Sequence, residues 1–410
     1  MSSEGFVTGE TKNSEHALRW NGETESPSVT VTTDIDEGNG REFTSTDRWI
    51  LAPTPRLTVA WMPSGDDEWK YRHPLENDYP DATIKFADRG VLGSAFTYIG
   101  AYKEHTHHAD GQRFRMIVVD GASPSDSPGK VFKSLTSASK RLPGESPDKV
   151  LAFVLPDPSW RGGYASPSHD EIWVHEDAHL SDPQNLWLHE YVHTRQSFKL
   201  GDRMAWFREA SAAYFASNLT MEQGRTSKSD VAQMLTRNGF DESVLSKSNT
   251  WASNEVPYYR GAYALWALDA KIRKATDGDR SLFDVFERMN AHKGPISYAD
   301  FRAIVANVAE QSMNSWLNEH VTTSATPKLQ DITSGLGGYS ESGDVRSSND
   351  GKASNRDRNY GISNSDRFST MTGDLSSTLI LSCGLGLIGL MFGLTLAQYI
   401  SRLIERVWKR

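Results

Sequence analysis

Residues 186–193, Leu-Trp-Leu-His-Glu-Tyr-Val-His, constrain this chain more than any other stretch. Read as a helix, they set His189 and His193 one turn apart on one face, so that two imidazoles can meet a single metal ion. The H-E-x-x-H order adds Glu190, a carboxylate able to reach a water on that ion as general base. A second helical stretch follows at 204–215, apolar and rich in small residues, with Glu209 as a carboxylate among Ala and aromatic neighbours. A lone buried carboxylate is costly unless paired or coordinated. Zinc coordination by His189, His193 and Glu209 supplies that compensation, and an exposed acid paired with Arg208 is the alternative.

The same pattern occurs twice, since His175-Glu176-Asp177-Ala178-His179 also reads H-E-x-x-H. Local chemistry separates the two. Glu171–Val174 alternates like a strand, which leaves the first match just past a strand end in a polar connection. Asp182 as N-cap and Pro183 as first helical residue predict that the next helix starts there and carries the second match through its middle. His175 and His179 are therefore read as exposed loop histidines. His105, His107 and His108 are placed in a polar loop before Asp110-Gly111, with no second metal site expected. Downstream, Pro257 suits the first turn of a helix and Gly261 permits close packing. Tyr258 between them is either an oxyanion donor or a packing tyrosine, and spacing alone leaves both open.

Together these segments resemble the gluzincin metallopeptidases of the aminopeptidase N and glycyl aminopeptidase type. The likeness is carried by His189, Glu190 and His193, by Trp206 and Glu209 as W-x-x-E, and by Tyr258-Tyr259-Arg260-Gly261 with Arg in place of the family's Lys. It extends over about residues 90–322. The resemblance implies one Zn2+ ion held by His189, His193 and Glu209, with Glu190 as catalytic base and Tyr258 stabilising the transition state. The 15 residues between His193 and Glu209 are fewer than the family usually has, which shortens an interhelical connection without removing a ligand. Gly162, Gly163, Tyr164 and Ala165 match the family's substrate-binding edge strand. Ala165 stands where a Glu would hold the substrate's free amine, and alanine cannot pair with an ammonium group. The implied reaction is hydrolysis of a peptide or protein substrate, with exo or endo action left open. A non-catalytic surface binding module and a zinc hydrolase of non-peptide substrates are the rival readings.

The resulting expectation is an α+β chain in five parts. A short β-rich N-terminal domain spans 1–107, with β-branched stretches at 28–33 and 56–61. A thermolysin-like zinc peptidase domain spans 108–323, with strands near 114–119 and 150–154 around a helix at about 130–141. Residues 324–374 read as a disordered Ser/Asn/Gly-rich stalk. The uncharged run 375–401 exceeds the roughly 20 residues needed to cross a bilayer and is read as a transmembrane helix. The basic tail 402–410 then favours the cytoplasmic side, placing the catalytic part outside a single-pass cell membrane protein. No signal peptide is visible, so a cytoplasmic tail-anchored arrangement stays open. Gly389 and Gly393 allow a weak helix-paired homodimer or are generic membrane glycines. The net charge of −9, from 53 acids and 44 bases, gives no reason to expect nucleic-acid binding. The one cysteine, Cys383, lies in the uncharged run, so neither disulfides nor Cys ligands are expected in the folded part.

Overall fold

Extended and helical periodicities separate along the chain, strands before about residue 119 and mostly helices after 183. The computed structural model describes residues 2–8, 18–34, 38–39, 43–55, 58–61, 68, 70–72, 82–86, 89–159, 162–166, 170–236, 240, 242–328, 376–383 and 393–394. They fall into two compact units, divided near Lys103.

The first unit is built of strands. Ser28–Asp34, with its Val and Thr residues, pairs antiparallel with Ser2–Glu4 on one side and Ser376–Cys383 on the other, and Ala82–Phe86 lies beyond. A second sheet sets Ile50–Pro53 against Phe96–Ile99, with Ile50 opposite Ile99 and the buried Trp49 and Tyr98 in its core. Within the uncharged C-terminal run expected as a transmembrane helix, Ser376–Cys383 is a strand, with Leu379 in register with Val31 and Phe86. Leu, Ile and Thr side chains suit a sheet as well as a bilayer, and absence of charge does not choose between them. Among the described residues no helix is long and apolar enough to cross a membrane. Gly393 lies in the short strand Gly393–Leu394, paired with Val59–Trp61. Gly389, the tail 402–410 and all of the expected stalk beyond Lys328 lie outside the described residues.

The second unit holds a five-stranded sheet ordered β1-β2-β3-β5-β4. Its strands are β1 (Tyr102–Ala109), β2 (Gln112–Val119), β3 (Lys149–Leu155), β4 (Gly163–Ala165) and β5 (Glu171–His175). Asp110 and Gly111, with φ of 53° and 74°, make the tight turn between β1 and β2. His105, His107 and His108 therefore belong to a strand, which corrects their placement in a loop. The two-residue turn is the whole connection, so pairing with the apolar β2 carries the polar stretch into the sheet. His107 stacks on Phe132 at 5.4 Å. The central strands β2, β3 and β5 run parallel and are buried almost throughout, as a sheet covered on both faces requires. Helix α1 (Pro128–Arg141) connects β2 to β3 and buries Val131, Phe132, Leu135 and Ala138. Strand β4 runs antiparallel to β5 and forms the edge of the sheet.

Helices then take over: α2 (Leu186–His193), α3 (Trp206–Glu222), α4 (Lys228–Leu235), α5 (Ala262–Ala275), α6 (Leu282–Asn290), α7 (Tyr298–Val308) and α8 (Asn314–Thr322). Trp187, Trp206, Phe207, Phe215, Trp266 and Phe286 are among the largest fully buried side chains, so the core surrounds α2 and α3. Phe215 meets both Phe283 and Phe286 edge-on at 4.8 and 4.7 Å, which ties α3 to α6. The Asn218-Leu219-Thr220 sequon lies inside α3 with Asn218 fully buried, consistent with chance occurrence.

Candidate metal centre

Helix α2 begins at Leu186, three residues later than the Asp-Pro signal predicts. Asp182 instead closes a turn, accepting the Asn185 amide on its carbonyl and the Gln184 amide on its side chain. The N-cap is Asn185, whose Oδ1 accepts the Leu188 amide at 3.2 Å. Its φ of 29° is a conformation that asparagine tolerates better than most residues. The Asn185 amide group also donates to the Leu180 carbonyl and to Thr220 Oγ1 on α3. Tertiary partners rather than local propensity thus select the cap, and they fix α2 against α3.

The docked helices bring three donor atoms together. His189 Nε2, His193 Nε2 and Glu209 Oε2 form a triangle in which each of the three separations is 3.2 Å. Ligands about 2.0–2.1 Å from a tetrahedral zinc ion are separated by about 3.3 Å, so the triangle matches one face of such a site. The imidazole rings stand nearly perpendicular, 79° apart, which lets both Nε2 atoms converge. His189 is 4% exposed and His193 9%, while the Glu209 side chain keeps 29%. Among the described residues this is the one group of His, Cys, Asp and Glu whose ligand atoms converge closely enough to hold a metal ion. The donor set of two imidazoles and one carboxylate suits zinc.

Charge is concentrated here. Burial disfavours ionisation of Glu209, but the His193 charge and hydrogen bonds with both imidazoles outweigh it and hold the carboxyl well below its usual range. Burial likewise disfavours a protonated His193, yet the Glu209 and Glu190 carboxylates beside it raise its pKa to about 9. Burial lowers the pKa of the neighbouring Arg208 guanidinium, against the opposing attraction of Glu209.

Glu190 is 5% exposed and lies against β4. A Cβ placed on Gly163 would come within 2.6 Å of Glu190 Oε1, so the edge strand reaches the carboxylate only because residue 163 has no side chain. Gly162, Tyr164 and Ala165 flank this contact; the Gly162 carbonyl accepts the His175 amide, and Ala165 pairs with Ile172 of β5. Tyr258 arrives from a π-helical turn, Pro257–Gly261, and stacks on the His189 ring at 5.3 Å with 13° between planes. Such turns are rare and concentrate at functional sites. Gly261 lets the turn close on α3, since a Cβ there would sit 2.7 Å from that of Ala210. The turn therefore rests on the residue that follows Glu209.

The first H-E-x-x-H match does not converge on this centre. His175 ends β5, its Nε2 3.2 Å from Asp157 Oδ1 and its Nδ1 accepting the Asp177 amide, and His179 lies exposed in the following turn. Two residues that sequence reasoning passed over complete the centre. One is Asn185; the other is Gln196, whose Oε1 lies 2.9 Å from His193 Nδ1.

No family model matches the chain, and no curated protein matches it. Among solved structures, it is similar to an aminopeptidase N family protein from Idiomarina loihiensis, with a TM-score of 0.53 and 10% identity over 72% of this chain. The aligned part spans 62% of that protein's length. An M1 zinc metallopeptidase from Deinococcus radiodurans aligns over 77% of this chain and 91% of its own, at 14% identity and a TM-score of 0.45. Aminopeptidase A from Legionella pneumophila aligns over 69% of this chain and 38% of its own, at 12% identity and a TM-score of 0.44. The first likeness is one of fold, and it agrees with the expected α+β class.

Proposed function

We propose that this chain is a zinc-dependent peptidase whose ion is held by His189, His193 and Glu209. The observation that carries the reading is the triangle of 3.2 Å separations between three ligand atoms drawn from two helices. A bound zinc ion supplies a Lewis acid that polarises the scissile carbonyl and makes water acidic enough to attack near neutral pH. Glu190 takes the proton of the attacking water and passes it to the leaving amine nitrogen. The Tyr258 hydroxyl donates a hydrogen bond to the oxyanion that develops on the carbonyl, worth roughly 3 kcal/mol by comparison with other single donors. The edge strand with Gly162, Gly163, Tyr164 and Ala165 receives the substrate in extended form, one face of the peptide passing close to Glu190.

Ala165 offers no charge to a substrate's free amine, so the reading includes cleavage of peptides whose N-termini are blocked. Metal analysis and a peptide panel with free and blocked N-termini test it together. One zinc per chain and cleavage abolished by a chelator are expected. A purified chain that binds no zinc, or a zinc-loaded chain that cleaves no member of the panel, overturns it.

Membrane attachment through 375–401, with the basic tail 402–410 cytoplasmic, is a separate proposal. It rests on the absence of charge over that run, and the strand at Ser376–Cys383 is the competing placement.

A further inference from the structure

We propose that Gln196 is a positioning residue that fixes the His193 ring for metal binding and locks it to the helix carrying Glu209. The inference rests on the reading of His189, His193 and Glu209 as a metal site. Gln196 lies three residues beyond His193, past the end of α2, and is fully buried. Its side-chain amide spans the gap between the two helices. Oε1 lies 2.9 Å from His193 Nδ1, and Nε2 donates to the Arg208 carbonyl at 2.8 Å and to Ser211 Oγ at 2.9 Å. Arg208 Nη1 donates back to Oε1 at 3.3 Å.

These contacts determine which way the amide points. A backbone carbonyl only accepts, so the Gln196 group facing Arg208 must be the NH2. The oxygen is then left facing His193, and an amide oxygen also only accepts. In the neutral ring that binds a metal, His193 Nδ1 must therefore carry the proton, which reserves the Nε2 lone pair for an ion in the donor triangle. A chain of donors and acceptors thus runs from the backbone of α3, through one glutamine, to the ligand atom of α2. The carbonyl that starts it belongs to Arg208, the residue before Glu209, so the same amide sets the spacing of two ligands from different helices. Outer partners of this kind orient ligating imidazoles, and losing one costs roughly 10–100-fold in metal affinity.

The test uses the full chain, with zinc as the probe, chelator competition for affinity and proton NMR for the His193 Nδ1 proton of the zinc-loaded protein. Gln196→Met preserves length and removes both hydrogen-bonding functions. It should bind one zinc about 10–100-fold more weakly, with a Nδ1 proton that exchanges freely with solvent. Gln196→Glu keeps an acceptor oxygen for Nδ1 but loses the NH2 that faces the Arg208 carbonyl. It should keep the protected Nδ1 proton and bind zinc with an intermediate affinity, weaker than wild type by the lost lock to α3 but tighter than Gln196→Met. A merely structural role predicts the opposite order, because a carboxylate against a buried carbonyl is the worse fit. If Gln196→Met binds zinc as tightly as wild type, or Gln196→Glu loses as much affinity as Gln196→Met, the inference is overturned and the metal site stands. A wild-type chain that takes up no zinc overturns the site, and with it this inference.

Discussion

At the residue scale, the contact between Gly163 and Glu190 is the most sensitive point of the centre. A methyl group at 163 would lie 2.6 Å from Oε1 and 3.0 Å from Cγ of Glu190. The carboxylate, 5% exposed, has little room to yield except by swinging away from its working position. Gly163→Ala should therefore lower turnover by at least about 10-fold, within the ~10²–10⁴ that a positioned base supplies, while zinc stays bound. Unchanged turnover would show that Glu190 does not work from the position seen here. Glu190→Gln separates the proposed base from the proposed ligands: zinc content by elemental analysis should match wild type, with turnover reduced about 10²–10⁴-fold. Tyr258→Phe removes the hydroxyl and leaves the ring stacked on His189. It should cut kcat by roughly 10²-fold with a smaller effect on KM, and an unchanged kcat would remove the hydroxyl from the mechanism. Most of this centre was readable in the sequence, because His189, Glu190, His193 and Glu209 owe their placement to helical periodicity and local composition. Gln196 was not. A lone glutamine carries no chemical signature until the fold brings a carbonyl twelve residues away in sequence into its reach.

At the element scale, two helix starts show where sequence and tertiary structure part. Helix α6 is announced locally. Ser281 and Asp284 form a reciprocal capping box, and Arg280 pairs with Asp284. Helix α2 is not, because the Asp182-Pro183 signal is displaced by Asn185, whose decisive partners Leu180 and Thr220 are separated from it by different stretches of chain. The histidines of β1 were misplaced for the same reason, as their strand is imposed by pairing with β2. The cap of α6 also gives a pH prediction. Burial opposes ionisation of Asp284, but hydrogen bonds from Ser281 and Arg280 and the guanidinium charge outweigh it and lower its pKa from 3.8. A depressed folded value means that the stabilisation is fully present above the unfolded pKa and is lost as pH falls through the folded one. Asp284→Ala should therefore destabilise the second unit by about 1 kcal/mol at pH 7 and by clearly less near pH 3. Denaturant melts at the two pH values measure this, and an equal loss at both would assign the effect to helix propensity alone.

For the whole molecule, the uncharged C-terminal run fits two placements, and its composition suits both. Apolar side chains leave water equally well into a sheet or a bilayer, so 375–401 satisfies the transmembrane criterion while Ser376–Cys383 pairs with Ser28–Asp34 and Ala82–Phe86. The two placements make different demands on the rest of the chain. In the sheet, removing the strand takes the neighbour from Ala82–Phe86 and one of the two neighbours from Ser28–Asp34, and should destabilise the first unit. In a bilayer, removal changes where the protein resides and leaves the first unit's stability as it was. The second unit is expected to be indifferent in either case, since its buried core runs from Phe114 to Val321. A chain ending at Lys328 should therefore still bind one zinc ion with wild-type affinity. Comparing it with the full chain by membrane fractionation and by thermal melting separates the alternatives. Full-length protein that sediments with membranes and resists carbonate extraction, together with an unchanged first melting transition on truncation, establishes the anchor. Full-length protein that stays in the supernatant and loses several degrees on truncation assigns the run to the sheet, and the expectation of a single-pass enzyme would then be withdrawn.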